Sequence, residues 1–228
     1  MKFLKNILFT TIHITTSSLI AQPIPMATFT GIANATFTNP SGGGVSTGAG
    51  TDFFTWGDGY ANSGPSSLRF TGKSFKVTTP SGYILGTSAQ KERPSFSIGR
   101  LDFYNGDVKS GTYPSGVRLD TNIRFTSPVE TTTTTFFSHL RLVNTLNLGH
   151  AEDNADYVYF PSSIAPVALL NTDGANITLK PVGFGNVSVN GFIKQDKLHV
   201  LELQTASAEL LAQIIPPCQS IINGAVKT

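Results

Sequence analysis

The chain contains a single cysteine, Cys218, among its 228 residues. An internal disulfide is therefore excluded, and the fold must be stabilised by a hydrophobic core alone. Charged residues make up only 13% of the chain, and the formal net charge is +2 with no block of Lys or Arg. This composition excludes a charge-driven disordered chain and disfavours a protein that binds the nucleic-acid backbone.

Long apolar runs are also scarce. The most extended one, residues 7–21, follows two lysines and is interrupted by threonines. A basic start, a short apolar stretch and a small residue at its end are typical of a secretory signal peptide. We therefore predict a signal peptide over residues 1–21, a domain over 22–215 and a flexible tail over 216–228. No later run approaches the roughly 20 apolar residues that span a bilayer, so no stable membrane span is expected.

The chain is rich in Gly (22), Pro (13) and Phe (16), arranged as short alternating segments between turns. Alternation of apolar and polar residues indicates strands with one buried face, whereas helical spacing is nearly absent. Such strands, recurring about every 8–12 residues, are typical of an antiparallel β-sandwich. The sequence thus predicts one all-β domain, a jelly-roll-like sandwich.

Two local features refine this prediction. In the run 96–103 the apolar residues change parity around Gly99, which predicts a β-bulge at that glycine. The tripeptide Asn105-Gly106-Asp107 lies between two strand-like runs and predicts a hairpin, because Asn and Gly tolerate the positive φ angles of a tight turn.

Catalytic motifs are sparse. There is no Gly-x-Ser-x-Gly nucleophile elbow, and His139, His150 and His199 do not have metal-ligand spacing. Glu130 and Glu202 are the glutamates in strand-like context that could face a cleft, and glycoside hydrolysis requires a carboxylate pair. A secreted glycan hydrolase is the least favoured of three functional interpretations.

Oxygen-bearing side chains cluster within residues 144–156. Amide and carboxylate oxygens are available from Asn144, Asn147, Asp153 and Asp156. Oxygens of this kind are the ligands of Ca²⁺, which is coordinated by about six to eight of them. The spacing is not that of an EF-hand, so a structural calcium site and a solvated acidic loop both remain open. No other cofactor is expected.

Three aromatic residues suit stacking against the apolar face of a sugar, namely Trp56, Tyr60 and Tyr83. These residues support the second of the three functional interpretations, a carbohydrate-binding, lectin-like module. Trp56 also fits a core anchor at one end of the sandwich, which is the interpretation we prefer for it.

An ordered series of segments carries a resemblance to a known family. It includes Phe-Thr-Trp-Gly at 54–57 and Arg-Leu-Asp-Phe-Tyr-Asn-Gly at 100–106. The full series is residues 54–57, 66–75, 85–86, 98–106, 111–112, 117–120, 125–128, 144–147, 153–158, 177–185 and 207–211. Together these segments resemble the bacterial choice-of-anchor K domain. The resemblance implies a secreted or surface-displayed β domain of unassigned activity, and a closing strand at 206–215 where propensity alone slightly favours a helix.

The leading interpretation is a non-enzymatic, secreted or cell-surface β-sandwich module with a matrix, envelope or adhesive role. Its expected partner is an extracellular polysaccharide or a surface protein, and nucleic acid is not expected. The carbohydrate-binding and hydrolase interpretations follow in that order.

Overall fold

The computed structural model describes residues 28–60, 63–79, 94–127, 133–147, 149–161, 167–172 and 175–215. Within these ranges the chain forms fourteen strands and no helix. The strands are β1 (Thr28–Ser41), β2 (Ser46–Thr47), β3 (Phe53–Trp56), β4 (Ser66–Gly72), β5 (Ser74–Thr78), β6 (Phe96–Tyr104), β7 (Gly116–Ser127), β8 (Thr133–Val143), β9 (Asp156–Tyr159), β10 (Val167–Thr172), β11 (Ala175–Gly185), β12 (Gly191–Lys194), β13 (Lys197–Val200) and β14 (Thr205–Ile215). The predicted signal peptide and C-terminal tail lie outside the described residues.

The described strands form two antiparallel sheets of seven strands each. In sheet A the order is β12-β13-β9-β8-β7-β1-β5, and in sheet B it is β10-β11-β14-β6-β4-β3-β2. The chain changes sheet several times, for example between β4 and β5 and between β6 and β7. This arrangement confirms the predicted all-β, antiparallel, sandwich-like fold.

The two sheets pack face to face through aromatic side chains. Phe37 of β1 lies against Phe54 of β3 with ring centroids 5.9 Å apart, and Phe75 of β5 lies against Phe96 of β6 at 4.8 Å. In β1 every second residue from Phe29 to Phe37 is buried, so the other residues of that segment lie on the outer face. The strands therefore share one core, stabilised by roughly 25 cal/mol per Å² of apolar surface removed from water.

The bulge predicted at Gly99 is present in β6, and the prediction is confirmed. The pairing of β14 with β6 shifts register here, so Ile98 has no partner on β14. Ile98 and Gly99 are both buried, which accounts for the change of parity along the strand. A Cβ on Gly99 would lie 2.2 Å from Cζ of Phe70, so the bulge brings backbone directly against a core ring.

The hairpin predicted at Asn105-Gly106-Asp107 is wrong. β6 belongs to sheet B and β7 to sheet A, so the tripeptide begins a crossover between sheets, and none of its residues has a positive φ. Asn105 is buried, and its Nδ2 donates to the carbonyl oxygen of Val200 at 2.9 Å. Its backbone N–H donates to the carbonyl oxygen of Gln204 at 3.0 Å. These bonds hold Asn105 against the end of β13 and the turn before β14, and not against the second strand of a hairpin.

Residues 206–215 form a strand, as the family resemblance implied and against their helix propensity. β14 pairs with β11 on one side and β6 on the other. Every second residue from Ala206 to Ile214 is buried. Two hydrogen-bonded neighbours and a buried face outweigh propensity differences that amount to less than about 1 kcal/mol per residue.

Candidate functional site

A pocket of about 290 Å³, called here the end pocket, lies among the loops at the ends of the strands. Three connections contribute to it: the β6–β7 crossover, the β8–β9 loop and the β13–β14 turn. Tyr60 joins them from the segment after β3. Side chains that are far apart in sequence therefore meet in one cavity.

Hydrogen bonds to the carbonyl oxygen of Asp107 fix the crossover against the segment that carries Tyr60. The Tyr60 N–H donates to the carbonyl oxygen of Asp107 at 2.9 Å, and the Ser63 hydroxyl donates to the same oxygen at 2.7 Å. A Cβ on Gly106 would lie 2.6 Å from the carbonyl oxygen of Gly64, so this close approach requires a glycine. The residues Tyr60 and Asp107 are thus held side by side at the pocket.

Asp156 is the most deeply buried carboxylate of the end pocket, with 3% of the residue exposed. The backbone N and the Oγ1 of Thr145 lie 2.7 and 3.1 Å from its Oδ1. Burial raises the pKa of Asp156 to about 7, and the carboxylates of Glu202 and Asp107 act in the same direction. The Thr145 hydrogen bonds oppose this rise without cancelling it.

Glu202 supplies another carboxylate from the turn between β13 and β14. The Nδ2 of Asn105 donates to its Oε2 at 3.3 Å, whereas Oε1 is buried and has no hydrogen-bond partner among the described residues. Burial raises the pKa of Glu202 and the Asp107 carboxylate raises it further, whereas the side-chain amides of Asn147 and Asn105 oppose the rise. The pocket therefore offers an unpaired acceptor, and such a group is satisfied by a hydrogen-bond donor from a ligand or from solvent.

Two tyrosines add aromatic surface to the end pocket. Tyr60 is 53% exposed and Tyr113 is half-buried, and both line the end pocket. Trp56 is only 1% exposed, and two phenylalanine rings pack against it with centroids 5.9 and 5.7 Å away. The structure thus places Trp56 as a core anchor with no open face for a sugar ring. Tyr83 lies outside the described residues.

The four residues predicted as calcium ligands are brought together only in part. Asn144, Asn147 and Asp156 line the end pocket, whereas Asp153 is exposed in the β8–β9 loop. The Oδ1 of Asn144 accepts from the indole N–H of the core tryptophan at 3.3 Å, and Nδ2 of Asn147 donates to Oδ1 of Asp107 at 3.3 Å. In the part of the chain that the structure describes, no group of three or more His, Cys, Asp or Glu side chains is arranged to hold a metal ion.

Of the two glutamates proposed for hydrolysis, Glu202 lines the end pocket and Glu130 lies outside the described residues. His139 and His150 are exposed, and His199 is half-buried on sheet A. None of these three histidines lines the end pocket.

Sequence analysis missed Asp107 and Tyr113 as pocket residues. Asp107 lay within the wrongly predicted hairpin, where an Asp usually bonds to its own turn. Tyr113 lies in the same crossover, which no sequence period marks as part of a cavity. Their role follows only from the topology that brings the crossover beside the β8–β9 loop.

The fold and the site define a two-sheet antiparallel β protein with an acidic, tyrosine-lined pocket at the ends of its strands. No protein-family model matches the chain, and no curated protein matches it significantly. Within the described ranges the chain has no helix that is long and apolar enough to cross a membrane.

Proposed function

We propose that the chain is a non-enzymatic, secreted or cell-surface β-sandwich module that binds a saccharide in the end pocket. The observation that carries this proposal is the exposed ring of Tyr60 in the same pocket as the unpaired acceptor oxygen of Glu202. Aromatic rings pack on the apolar faces of sugars, and carboxylates accept hydrogen bonds from sugar hydroxyls. The pocket therefore has a ring that can pack on the apolar face of a sugar and a carboxylate oxygen that can accept from its hydroxyls.

The charge of the pocket narrows the class of sugar. Asp107, Asp156 and Glu202 place three carboxylates around one cavity. Burial is the main cause of the raised pKa values of Asp156 and Glu202, and repulsion from the neighbouring carboxylates raises both values further. A neutral sugar or an amino sugar fits this environment, whereas a uronic acid would be repelled.

The alternative for the same pocket is a secreted glycan hydrolase. A carboxyl group with a raised pKa beside a second carboxylate is the arrangement of a general acid and its partner, and Glu202 with Asp156 would supply it. Turnover of a glycan that is lost in Glu202→Gln would favour the hydrolase. Binding without turnover over the same glycan panel would favour the module.

Structural calcium in the end pocket is also a proposal. A divalent cation would relieve the repulsion among the pocket carboxylates, and Asn147 would add an amide oxygen. The carboxylates would have to be drawn together around the ion. Saccharide binding as proposed here does not depend on that step.

Secretion and membership of the choice-of-anchor K family belong to the same proposal. It rests on the signal-like composition of residues 1–21 and on the ordered series of family-like segments. A tagged full-length chain should be recovered from the medium or the envelope, with a mature N-terminus near residue 22. Recovery from the cytosol with Met1 still in place would contradict secretion.

The test of saccharide binding compares two exposed aromatic residues. Titration calorimetry with neutral and amino oligosaccharides selected on a glycan array should detect binding to the parent chain. Tyr60→Ala should weaken it about tenfold, because the stacking surface is lost. The control is Phe137→Ala, since Phe137 is 52% exposed but lies on β8 and does not line the pocket. Equal weakening in the two variants, or none in Tyr60→Ala, would reject this pocket as the sugar site.

A further inference from the structure

The outer face of sheet A carries a row of aromatic rings that does not line the end pocket. Phe192, His199 and Tyr157 are register partners on the neighbouring strands β12, β13 and β9. The rings of Phe192 and His199 stack with centroids 4.7 Å apart and planes 7° apart. The ring of Tyr157 follows at 4.8 Å from His199. All three residues are half-buried, and both ring nitrogens of His199 are buried, so the stack is partly open to solvent.

A row of basic residues runs beside the aromatic row. The row contains Lys194 of β12, Lys197 of β13 and Arg141 of β8. Tyr159 of β9 is the register partner that lies between Lys197 and Arg141. This row lies two residues along the strands from the aromatic row, which is about 7 Å. The Nζ of Lys197 lies 4.7 Å from the ring centroid of Tyr157, so the two rows are in contact.

The basic row is unfavourable for folding by itself. Lys194 and Lys197 stand directly opposite each other at the end of the β12–β13 hairpin, and like charges in that position destabilise a sheet. Lys194, Lys197 and Arg141 have no ion-pair partner among the described residues, although the carboxylate of Asp196 lies in the connecting turn. Burial lowers the pKa of His199, the Ala155 backbone opposes this shift, and the two lysines lower the pKa further. An anionic ligand would offset the repulsion between the lysines.

The residues that form this surface, called here the basic aromatic face, are Phe192, His199, Tyr157, Lys194, Lys197 and Arg141. We infer that the basic aromatic face binds an acidic extracellular polysaccharide. Sugar rings would pack on the aromatic row, and carboxylate or sulfate groups would pair with the basic row. The basic row crosses four strands, or about 14 Å at about 4.8 Å per strand, so it suits a chain of sugars better than a single one.

This site goes beyond the proposed saccharide pocket, because the two surfaces select ligands of opposite charge. The end pocket presents three carboxylates and repels a uronic acid, whereas the basic aromatic face presents three cations. Single-stranded nucleic acid also stacks on rings beside basic residues. The net charge of only +2 favours the polysaccharide, because a nucleic-acid binder relies on widespread positive charge.

The inference is tested by affinity electrophoresis of the full chain in gels containing a polyuronate or neutral dextran. The polyuronate should retard the chain and dextran should not, and the retardation should decline as salt is added. Lys194→Glu/Lys197→Glu should weaken the apparent affinity about tenfold or more. The control is Lys76→Glu/Arg124→Glu, which makes the same change of charge at exposed positions near the opposite edge of sheet A.

Variants of Tyr157 separate stacking from charge. Tyr157→Ala should weaken polyuronate binding about tenfold, while Tyr157→Phe, which keeps the ring, should retain it. Tyr60→Ala should leave polyuronate binding unchanged, so failure of the saccharide pocket and failure of the basic aromatic face are distinguishable. Three outcomes would each overturn the inference. The first is an equal loss of binding in the two charge-reversal pairs, and the second is retention of binding in Tyr157→Ala. The third is tighter binding of a single-stranded oligonucleotide than of the polyuronate.

Discussion

Asp156 shows how a single residue links the stability of the fold to the chemistry of the end pocket. It begins β9 beside a fully buried valine, so its carboxylate is held where desolvation opposes its charge. The hydrogen bonds from Thr145 to its Oδ1, and from the Thr145 hydroxyl to the carbonyl oxygen of Asn154, tie the start of the β8–β9 loop to the end of that loop. Protonation of this one group therefore affects both the loop and the charge of the pocket.

The pKa of about 7 for Asp156 predicts an unusual dependence of stability on pH. An unfolded Asp titrates near pH 4, so between about pH 4 and 7 the folded state holds a proton that the unfolded state has lost. Stability should therefore fall as the pH rises through this window, by up to about 4 kcal/mol. Asp156→Asn should flatten most of that slope and be more stable than the parent at pH 8. Urea unfolding at a series of pH values measures both effects.

The control for this prediction is Asp153→Asn, which removes an exposed carboxylate of the same loop and should keep the slope of the parent chain. Some slope should also remain in Asp156→Asn, because burial raises the pKa of Glu202 in the same direction. A parent chain that becomes more stable as the pH rises from 5 to 7 would refute the prediction.

At the scale of the strand, β6 shows which features a sequence can reveal. The bulge could be predicted because a change of parity in a period-two pattern is visible within one strand. The crossover at Asn105 could not be predicted, because the same Asn-Gly pair is compatible both with a tight turn and with a buried Asn that anchors a connection. Its partners Val200 and Gln204 are distant in sequence, and only the fold brings them to it.

The bulge in β6 predicts a large effect of a small substitution. Gly99→Ala would place a methyl group 2.2 Å from Cζ of Phe70, a fully packed core ring, so that ring would have to move. Overpacking of this kind costs about 1–3 kcal/mol, measurable as a fall in the free energy of unfolding in urea. Gly149→Ala is the control, because its new Cβ would meet nothing closer than 3.4 Å. Combining Gly99→Ala with Phe70→Leu should restore part of the loss, and strictly additive losses would contradict the proposed clash.

At the scale of the whole molecule, the fold class could be predicted and most of the site could not. The alternation of apolar and polar residues is a local property, so the sequence of each strand reveals it without knowledge of the other strands. The end pocket depends instead on Asp107, Asp156 and Glu202, which come from two connections and the first residue of β9, and no local pattern relates these three places. Asp156 lines the pocket together with Asn144 and Asn147, and the sequence could group these three as candidate calcium ligands because they lie close together around one loop. Burial is the main cause of its raised pKa. The two carboxylates that raise it further, Glu202 and Asp107, come from other connections, so the sequence could not group them with Asp156.

The acidity of the assembled pocket leads to a test of calcium on the whole molecule. If the carboxylates of Asp107, Asp156 and Glu202 close around Ca²⁺, the ion binds the folded state and raises its melting temperature. Calcium at about 100 times its Kd would add about 2.7 kcal/mol, which for a chain of this size is roughly 5–10 °C. Differential scanning calorimetry in millimolar Ca²⁺ and in excess chelator measures this shift. Asp107→Asn should abolish the shift. The control is Asp58→Asn, which removes a carboxylate of an exposed ion pair and should leave the shift unchanged. An equal midpoint in calcium and chelator would remove calcium from the pocket and leave its carboxylates as acceptors for the saccharide alone.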